Sequence, residues 1–379
     1  MKSLRIPLHR PSIGPEEERA VAEAIGGGGR LAGDGPIGAK LEARISSDLG
    51  AMGSLLVPSG TAALELAMLL LDLREGDEVI MPSYTFSSTA NSVVLRGAVP
   101  RFAEIDPTTM TMDPLDAARL ITTKTRGILP IHYLGIPCDL TALSALARDA
   151  HVPLIEDAAQ ACGASWAGRA VGAWGLMGCF SFHETKSLTC GEGGAVTFSD
   201  PSLADRARIL REKGTNRAAF FRGEVTSYDW VEVGSSYLLA EPLAAMLTVQ
   251  WNRGPALRER RRILWNRYTE ALSGAARSGR VSLPSIPPLA SPSWEGFWIH
   301  LRDAESRTQA LSYCATRGIG ATFHHRPLHA APMGQRLRSE AMPRTTDLAE
   351  RLLRLPLYPD LREEEQDEVV AVLLQFLNR

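Results

Sequence analysis

The chain has few cysteines and no long apolar segment. Its 379 residues contain five cysteines, and no two of them have the C-x-x-C spacing. An odd number of scattered cysteines argues against a disulfide framework or a zinc site, and it fits the reduced thiols of a cytoplasmic protein. No run of about 18 apolar residues occurs and residues 1–5 lack the apolar core of a signal peptide, so we expect no membrane span and no membrane partner.

An excess of charge is also missing. The formal net charge is −2, and the longest basic patch covers residues 258–262. This balance gives no reason to expect a nucleic-acid partner. The composition, with 45% apolar and 22% charged residues, is typical of a globular protein. The length favours two domains, which we place at residues 1–250 and 251–379.

Short apolar runs alternate with helical stretches between residues 54 and 200. Continuous apolar strands separated by helices are typical of a sheet buried on both faces, so the fold class is α/β with a mostly parallel, seven-stranded sheet flanked by helices. The predicted strands are Ser54–Ser59, Glu78–Pro82, Pro100–Ile105, Gly127–His132, Pro153–Glu156, Gly178–Phe182 and Ala195–Ser199. The predicted helices of this region include Thr61–Leu73 and Leu140–Ala150.

The pattern changes after residue 200. We predict a helix over Leu203–Lys213, a long loop over Gly214–Ser236, and helices over Leu238–Val249 and Arg258–Ser273. A strand at Gly296–Leu301 and a terminal helix from Glu363 to Leu377 predict a smaller α+β domain at the C-terminal end.

The first candidate for a ligand-binding segment is Ser59-Gly60-Thr61-Ala62. It follows a predicted strand and opens a predicted helix. A glycine there lets the backbone approach a ligand closely, and a helix N-terminus offers free N–H groups to an anion such as phosphate. An ordinary turn is the alternative interpretation, since many such turns contain glycine.

Acidic residues lie at the end of another strand, in Glu156-Asp157-Ala158-Ala159-Gln160. Open α/β sheets bind ligands at the carboxyl ends of their strands. Asp157 is suited to hold a proton on a ring nitrogen of a cofactor, and Gln160 lies one helical turn further on. Glu156 should point to the opposite face of the sheet. A helix cap is the alternative role for Asp157.

Ser181-Phe182-His183-Glu184-Thr185-Lys186 supplies a nucleophile. A lysine with a lowered pKa attacks aldehydes readily and can then move protons, and Ser181 can donate to a phosphate. Most lysines are solvated surface charges, but Lys186 lies between an apolar strand and a glycine-rich turn. Phe86 follows a further strand end and is an aromatic that can stack on a ring, with a place in the apolar core as the alternative interpretation. The order of phosphate turn, aromatic, Asp157 and Lys186 matches the fold type I enzymes that use pyridoxal 5'-phosphate (PLP).

The sequence resembles the DegT/StrS family of nucleotide-sugar aminotransferases over nearly its whole length. The matching segments are 33–36, 58–63, 156–160, 181–186, 211–217 and 323–329. The last two resemble the WecE-type branch, which aminates C4 of TDP-4-keto-6-deoxy-D-glucose. The resemblance implies the aspartate-aminotransferase fold, PLP that alternates with pyridoxamine phosphate (PMP), and a homodimer with shared active sites.

The resemblance also implies residue roles. Lys186 would form a Schiff base with the cofactor, Asp157 would pair with its ring nitrogen and Gln160 with its phenolic oxygen. The remaining implied contacts are made by Gly60, Thr61 and Ser181 with the phosphate, Phe86 with the ring and His329 with the sugar.

One segment departs from the family pattern. The family has a G-x-N-x-R segment whose Asn reaches the partner's cofactor phosphate. This chain has Ser236 in place of that Asn and Leu238 in place of the Arg. A serine hydroxyl can still donate to phosphate, with a shorter reach. A cap for a helix that begins near Leu238 is the alternative role for Ser236.

The resemblance implies transfer of an amino group from L-glutamate to a TDP-ketosugar, with a TDP-4-amino-4,6-dideoxyhexose as the product. An aminotransferase for another position or nucleotide is one alternative. A PLP-dependent sugar dehydratase is a second, but those relatives have His in place of the lysine. A PLP-fold regulator without turnover is a third, and Lys186 argues against both of the latter.

Overall fold

The computed structural model describes residues 4–337 and 339–379. Most strands of this part of the chain precede residue 200, as the apolar runs predict. They are β1 (Gly53–Val57), β2 (Glu78–Pro82), β3 (Val99–Ala103), β4 (Thr125–Ile128), β5 (Ile155–Asp157), β6 (Ser165–Trp166), β7 (Arg169–Ala170), β8 (Met177–Ser181) and β9 (Gly194–Phe198).

Seven of these strands form the central sheet. One part has the order β3-β2-β4 and the other β5-β8-β9-β1, and parallel bridges from Ile128 to Leu154 and from Ile131 to Asp157 join them. Only β9 is antiparallel to its neighbours in this sheet. The predicted fold class, a mostly parallel sheet of seven strands, is therefore confirmed. The carboxyl ends of β2, β4 and β5 lie at one edge, where the predicted site residues follow them.

Helices cover both faces of the sheet and bury two apolar clusters against it. The predicted helix after Ser59 is almost entirely buried, which explains its lack of a polar face. The helices up to residue 277 are α1 (Pro15–Gly26), α2 (Pro36–Leu49), α3 (Gly60–Leu70), α4 (Ser87–Val94), α5 (Pro114–Arg119), α6 (Leu140–Asp149), α7 (Ser202–Arg211), α8 (Arg217–Phe221) and α9 (Glu241–Arg277).

The C-terminal part has its own apolar cluster, which also includes Ile6 from the N-terminal segment. Its strands β11 and β12 pair in antiparallel fashion. The elements are β10 (Ala290–Ser291), β11 (Phe297–His300), β12 (Leu352–Leu355), α10 (Ala304–Ala315), α11 (Pro332–Arg336), α12 (Pro343–Arg351) and α13 (Glu363–Leu377). The division at residue 250 stays a prediction, and it falls inside α9.

The helix α9 corrects one expectation. The sequence predicted two helices separated near Gly254-Pro255, but the structure has a single helix of 37 residues with Pro255 inside it. A proline in a helix removes one backbone hydrogen bond. Here the flanking Trp251 and Leu257 are buried in the main core, so tertiary packing keeps the two halves together.

The segment from Gly214 to Ser236 is a loop with one short helix, α8, and its two ends are held together. Gly214 has a φ of +75°, and a Cβ at this position would lie 1.6 Å from the carbonyl oxygen of Glu232. Only glycine fits this crossing of two backbones. No helix in the described part of the chain is long and apolar enough to cross a membrane.

Candidate active site

The N-terminus of α3 forms an anion-binding turn at the edge of the sheet. Ser59 caps the helix, because its hydroxyl accepts the amide of Ala62 at 3.1 Å. The amides of Gly60 and Thr61 precede the first intrahelical bond and point out of the helix end. A Cβ on Gly60 would lie 2.6 Å from Cβ of Ser181, so glycine is required for β8 to pass this closely. The predicted phosphate-binding residues Gly60, Thr61 and Ser181 are thus adjacent.

Asp157 ends β5 with a buried carboxylate. Its side chain accepts hydrogen bonds from the Thr89 hydroxyl at 2.9 Å and from the Ala159 amide at 3.2 Å. Burial raises the pKa of Asp157, while these bonds and the charge of Lys186 lower it. A carboxylate held in this way gains most from a nearby cation such as a protonated ring nitrogen.

Glu156 points to the other face, as strand alternation predicts. Its carboxylate accepts the amides of Gly172, Trp174 and Gly175 at 2.7–2.9 Å. It also bonds Nε2 of His132 at 3.2 Å, while Nδ1 of the same ring lies 3.0 Å from the Cys138 amide. A backbone amide can only donate, so Nδ1 accepts in this bond and Nε2 donates to the Glu156 carboxylate. Glu156 is fully buried and holds the 172–175 turn beneath the sheet.

Lys186 lies in a turn five residues after the end of β8, and its amide bonds the carbonyl of His183 at 2.9 Å. Burial is the main cause that lowers the pKa of its amine, and the positive charge of Arg354 adds to the effect. The carboxylates of Glu295 and Asp157 oppose it by raising the pKa. An amine with a lowered pKa is more often in its free, nucleophilic form.

Gln160 and Phe86 are placed around the same cleft. The side-chain oxygen of Gln160 accepts the amide of Leu134 at 2.8 Å, which leaves the NH₂ group to donate to a ligand. Phe86 is 60% exposed at the start of α4, and its ring centroid lies 6.1 Å from that of His325. Their contacts with a cofactor remain predictions.

His329 and Ser236 have contacts that do not involve the residues named above. His329 is buried, and its ring nitrogens bond the hydroxyls of Ser83 at 2.6 Å and Thr346 at 3.0 Å. This geometry favours a role in anchoring the loop rather than the predicted contact with sugar. Ser236 is exposed and forms an antiparallel bridge with Glu212, and its role toward a partner subunit stays a prediction. The alternative role of Ser236 as a helix cap is wrong, because the next helix, α9, has Ala240 as its N-cap.

Several residues of the cleft were missed by sequence reasoning. His324 and His325 stack with ring centroids 3.7 Å apart, and His324 bonds the buried Tyr133 hydroxyl at 2.8 Å. The buried Glu295 accepts the amide of Ser187, the residue after the lysine, at 3.0 Å. The segment 323–329 was noticed as a motif, but nothing in the spacing of the sequence connects residues near 295 or 354 with residue 186.

Together these residues fit PLP. The turn at Gly60 and Thr61 can hold a phosphate, Asp157 can hold a proton on the pyridine nitrogen, and Lys186 can bind the aldehyde carbon. The close passage of Gly60 against Ser181 is the specific structural sign, because any side chain would fill the space at this anion site.

Comparison with known proteins agrees with this site. Residues 11–374 match the model of the DegT/DnrJ/EryC1/StrS aminotransferase family. The aminotransferase TlmJ from Streptoalloteichus hindustanus is 31% identical, with a TM-score of 0.91 over 98% of this chain and 99% of that one. DesV from S. venezuelae, solved with a ketimine intermediate, is 31% identical, with a TM-score of 0.90 over 100% of both chains.

A third similar structure is the putative sugar aminotransferase Spr1654 from Streptococcus pneumoniae in its PLP form. It is 25% identical, with a TM-score of 0.91 over 98% of both chains. The same protein was also solved in a PMP form. These two forms confirm the cofactor that the motifs predict for the family.

Proposed function

The chain belongs to the DegT/DnrJ/EryC1/StrS aminotransferase family, and from that premise we propose that it moves an amino group from L-glutamate to C4 of a TDP-4-keto-6-deoxyhexose. The product is then a TDP-4-amino-4,6-dideoxyhexose. The observation that carries the aminotransferase chemistry is the lysine amine at the sheet edge, beside the buried Asp157 and near the phosphate-binding turn. The position of the ketone is supported by the motifs at 211–217 and 323–329.

Bound PLP withdraws electrons from the carbon that carries the amino group, and this is the chemistry it supplies. Gly60, Thr61 and Ser181 would hold its phosphate, and Asp157 would keep the proton on its ring nitrogen. The NH₂ group of Gln160 would donate to its phenolic oxygen. The Nζ atom of Lys186, displaced by the donor, would take a proton from the donor's α-carbon and return one to the cofactor.

The residues around Lys186 favour this proton transfer. Its pKa is lowered by burial, so the displaced amine is more often in the form that accepts a proton. The buried rings of His324 and His325 also have lowered pKa values and stay neutral, which keeps additional positive charge away from the amine. Exclusion of water strengthens each of these interactions.

Aminotransfer to another position or to another nucleotide-linked ketosugar is the second candidate. The relatives at 31% identity include DesV and TlmJ, so the family supports several sugar aminotransferases. A sugar dehydratase is disfavoured by the lysine at position 186. The Gly214–Ser236 loop, with its exposed Phe221 and Trp230, supports the further proposal that two copies share their active sites.

The test is an assay of the purified protein with L-glutamate and TDP-4-keto-6-deoxyglucose, followed by NMR of the product. We expect a new proton signal at C4, on a carbon that now bears nitrogen, and one equivalent of 2-oxoglutarate. The matched control replaces the TDP-sugar with its UDP counterpart. Turnover with the UDP-sugar alone, or with the TDP-3-keto isomer but not with the 4-keto sugar, would favour the second candidate. Loss of a hydroxyl without any aminated product would favour the dehydratase.

A further inference from the structure

Arg354 is a positive charge in the cleft for which the described residues provide no ion-pair partner. It lies on β12, and its Nε atom is buried without a hydrogen bond within the part of the chain that the structure covers. A guanidinium is charged at all working pH values and offers five donors in a planar fork. Leaving the buried Nε donor unpaired is costly, so Arg354 is expected to have an anionic ligand.

The position of Arg354 is rigid. It pairs with Trp298 across β11 and β12. Its amide donates to the carbonyl of Thr322 at 2.7 Å, and the Thr322 amide donates back to its carbonyl at 3.2 Å. The Nη2 atom lies 3.2 Å from where a Cβ of Gly296 would be, at the same distance as a Leu134 methyl carbon. The absence of a side chain at Gly296 thus makes room for the guanidinium.

This position is on the cofactor-ring side of the cleft. Leu134, which packs beside the same space, donates its amide to the side-chain oxygen of Gln160. The charge of Arg354 lowers the pKa of Lys186 and of His324, and it helps to lower the pKa of His325 to about 3. The geometry agrees with this coupling, because Gly296, beside the guanidinium, follows Glu295, whose carboxylate accepts the amide of Ser187 next to the lysine.

No carboxylate in the described part of the chain lies within ion-pair distance of the Arg354 guanidinium. The neutral rings of His324 and His325 carry no negative charge. The buried carboxylate of Glu295 interacts electrostatically with both Lys186 and Arg354, but burial raises its pKa, and Arg261 is the strongest of the cations that lower it. One carboxylate oxygen of Glu295 also accepts the amide of Ser187. The cleft thus presents a guanidinium that has no ion-pair partner among the described residues and that acts electrostatically on the lysine.

We propose that Arg354 binds the α-carboxylate of the amino donor. This rests on the proposed function only in that the donor is an amino acid. The donor's nitrogen must occupy the place of the Lys186 nitrogen, and its carboxyl carbon is two bonds from that nitrogen. The α-carboxylate therefore arrives beside the lysine, where a guanidinium can bind both oxygens. The diphosphate of a nucleotide-sugar is further from the reacting carbon, and the cofactor phosphate has its own turn at Gly60.

The test compares Arg354→Gln with wild type in the first half-reaction, in which the donor changes the absorption spectrum of the bound cofactor. Three donors are titrated: L-glutamate, L-glutamine, which lacks the side-chain carboxylate, and L-isoglutamine, whose α-carboxylate is an amide. Losing a charge-assisted bond costs roughly 10- to 150-fold in affinity. We expect that increase in the half-saturating concentration for glutamate and glutamine, and less than about twofold for isoglutamine.

Two controls keep the result interpretable. Arg351→Gln removes an arginine that is paired with Asp347 outside the cleft, and it should leave all three donors unchanged. Arg354→Lys keeps the charge but not the fork, so it should restore part of the affinity for glutamate. Calorimetry with glutarate, a dicarboxylate that cannot react, measures binding to the same site without turnover. The affinities of the variants for glutarate should follow the same order as their affinities for glutamate. An unchanged cofactor spectrum and melting temperature confirm the fold.

Arg354 has a different role if Arg354→Gln leaves glutamate and glutarate affinity unchanged. The same holds if Arg354→Gln weakens the affinity for isoglutamine as much as that for glutamate. An effect on the ketosugar alone, in the second half-reaction, would instead indicate that the arginine binds the diphosphate. If Arg354→Gln does not fold, the glutamate-to-isoglutamine ratio in Arg354→Lys decides. If the wild type reacts with another amino acid instead of glutamate, the proposed donor is wrong. The same comparison with that acid and its α-amide then tests Arg354.

Discussion

Replacing Asp157 with asparagine should make the cofactor-free protein more stable while it removes the chemistry. Burial raises the pKa of this carboxyl in the folded protein above its ordinary value. The ionised form therefore costs folding free energy at neutral pH. That cost disappears as the pH falls through the folded pKa toward the ordinary value. Asparagine has no charge to bury, so the variant should lack this pH dependence.

The hydrogen bonds can survive the change. The amide oxygen of asparagine can still accept the Ala159 amide. Its NH₂ can donate to the Thr89 hydroxyl, which can turn toward the Thr85 hydroxyl 2.9 Å away. The net gain should then be roughly 1–3 kcal/mol, the size of one relieved desolvation penalty. With about 2 cal/mol/K of unfolding entropy per residue, this raises Tm of the 379-residue chain by about 1–4 °C.

Melting curves of the cofactor-free proteins at pH 8 and pH 5 measure this effect. We expect the variant to exceed wild type at pH 8 and the difference to shrink at pH 5. In the cofactor-loaded protein, conversion by glutamate should slow by roughly 100-fold or more, as for other lost electrostatic contacts. Asp139→Asn is the matched control, since Asp139 is an exposed cap of α6 and asparagine caps equally well. A variant that is less stable at pH 8, or that turns over within a few-fold of wild type, would refute the reasoning.

Other predictions concern the assembly and the sheet. Ser236→Ala should raise the PLP dissociation constant about tenfold or more, with kcat at saturating PLP nearly unchanged, because a charge-assisted bond to phosphate is lost. Equal PLP affinity would remove Ser236 from the site. Light scattering should give a dimer, and an active monomer at low concentration would exclude shared sites. Glu156→Ala should lower the urea-unfolding free energy by about 3–5 kcal/mol, since three amides and His132 lose their acceptor. A loss below about 1 kcal/mol, the size of a single ordinary hydrogen bond, would contradict this account.

The sheet was predictable because its strands are buried on both faces. Glu78–Pro82 has the same bounds in the sequence prediction and in β2, and Glu363–Leu377 has the same bounds in α13. Apolar continuity marks such strands and amphipathic spacing marks such helices. The break predicted near Pro255 failed, because local propensity yields to the packing of Trp251 and Leu257.

The candidate site was predictable where its residues follow strand ends. Gly60, Asp157 and Lys186 are each near the end of a strand of one sheet, so their convergence follows from the fold class. Glu295 and Arg354 reach the cleft from elements of the C-terminal part, more than a hundred positions along the chain from Lys186. Their placement depends on how β11 and β12 pack beside the sheet, and local sequence patterns do not predict this packing. The hydrogen bonds of His329 with Ser83 and Thr346 depend on the same packing.

The central claim is that Lys186 carries the cofactor, and borohydride reduction tests it most directly. The cofactor-loaded protein is reduced, digested and analysed by mass spectrometry. We predict one modified peptide, with the pyridoxyl group on Lys186, and its loss when glutamate is added before the reductant. Lys186→Ala should give no modified peptide and no turnover, because no other lysine follows β8 within the described turn. A pyridoxyl group on another lysine, or turnover by Lys186→Ala at the wild-type rate, would contradict the account.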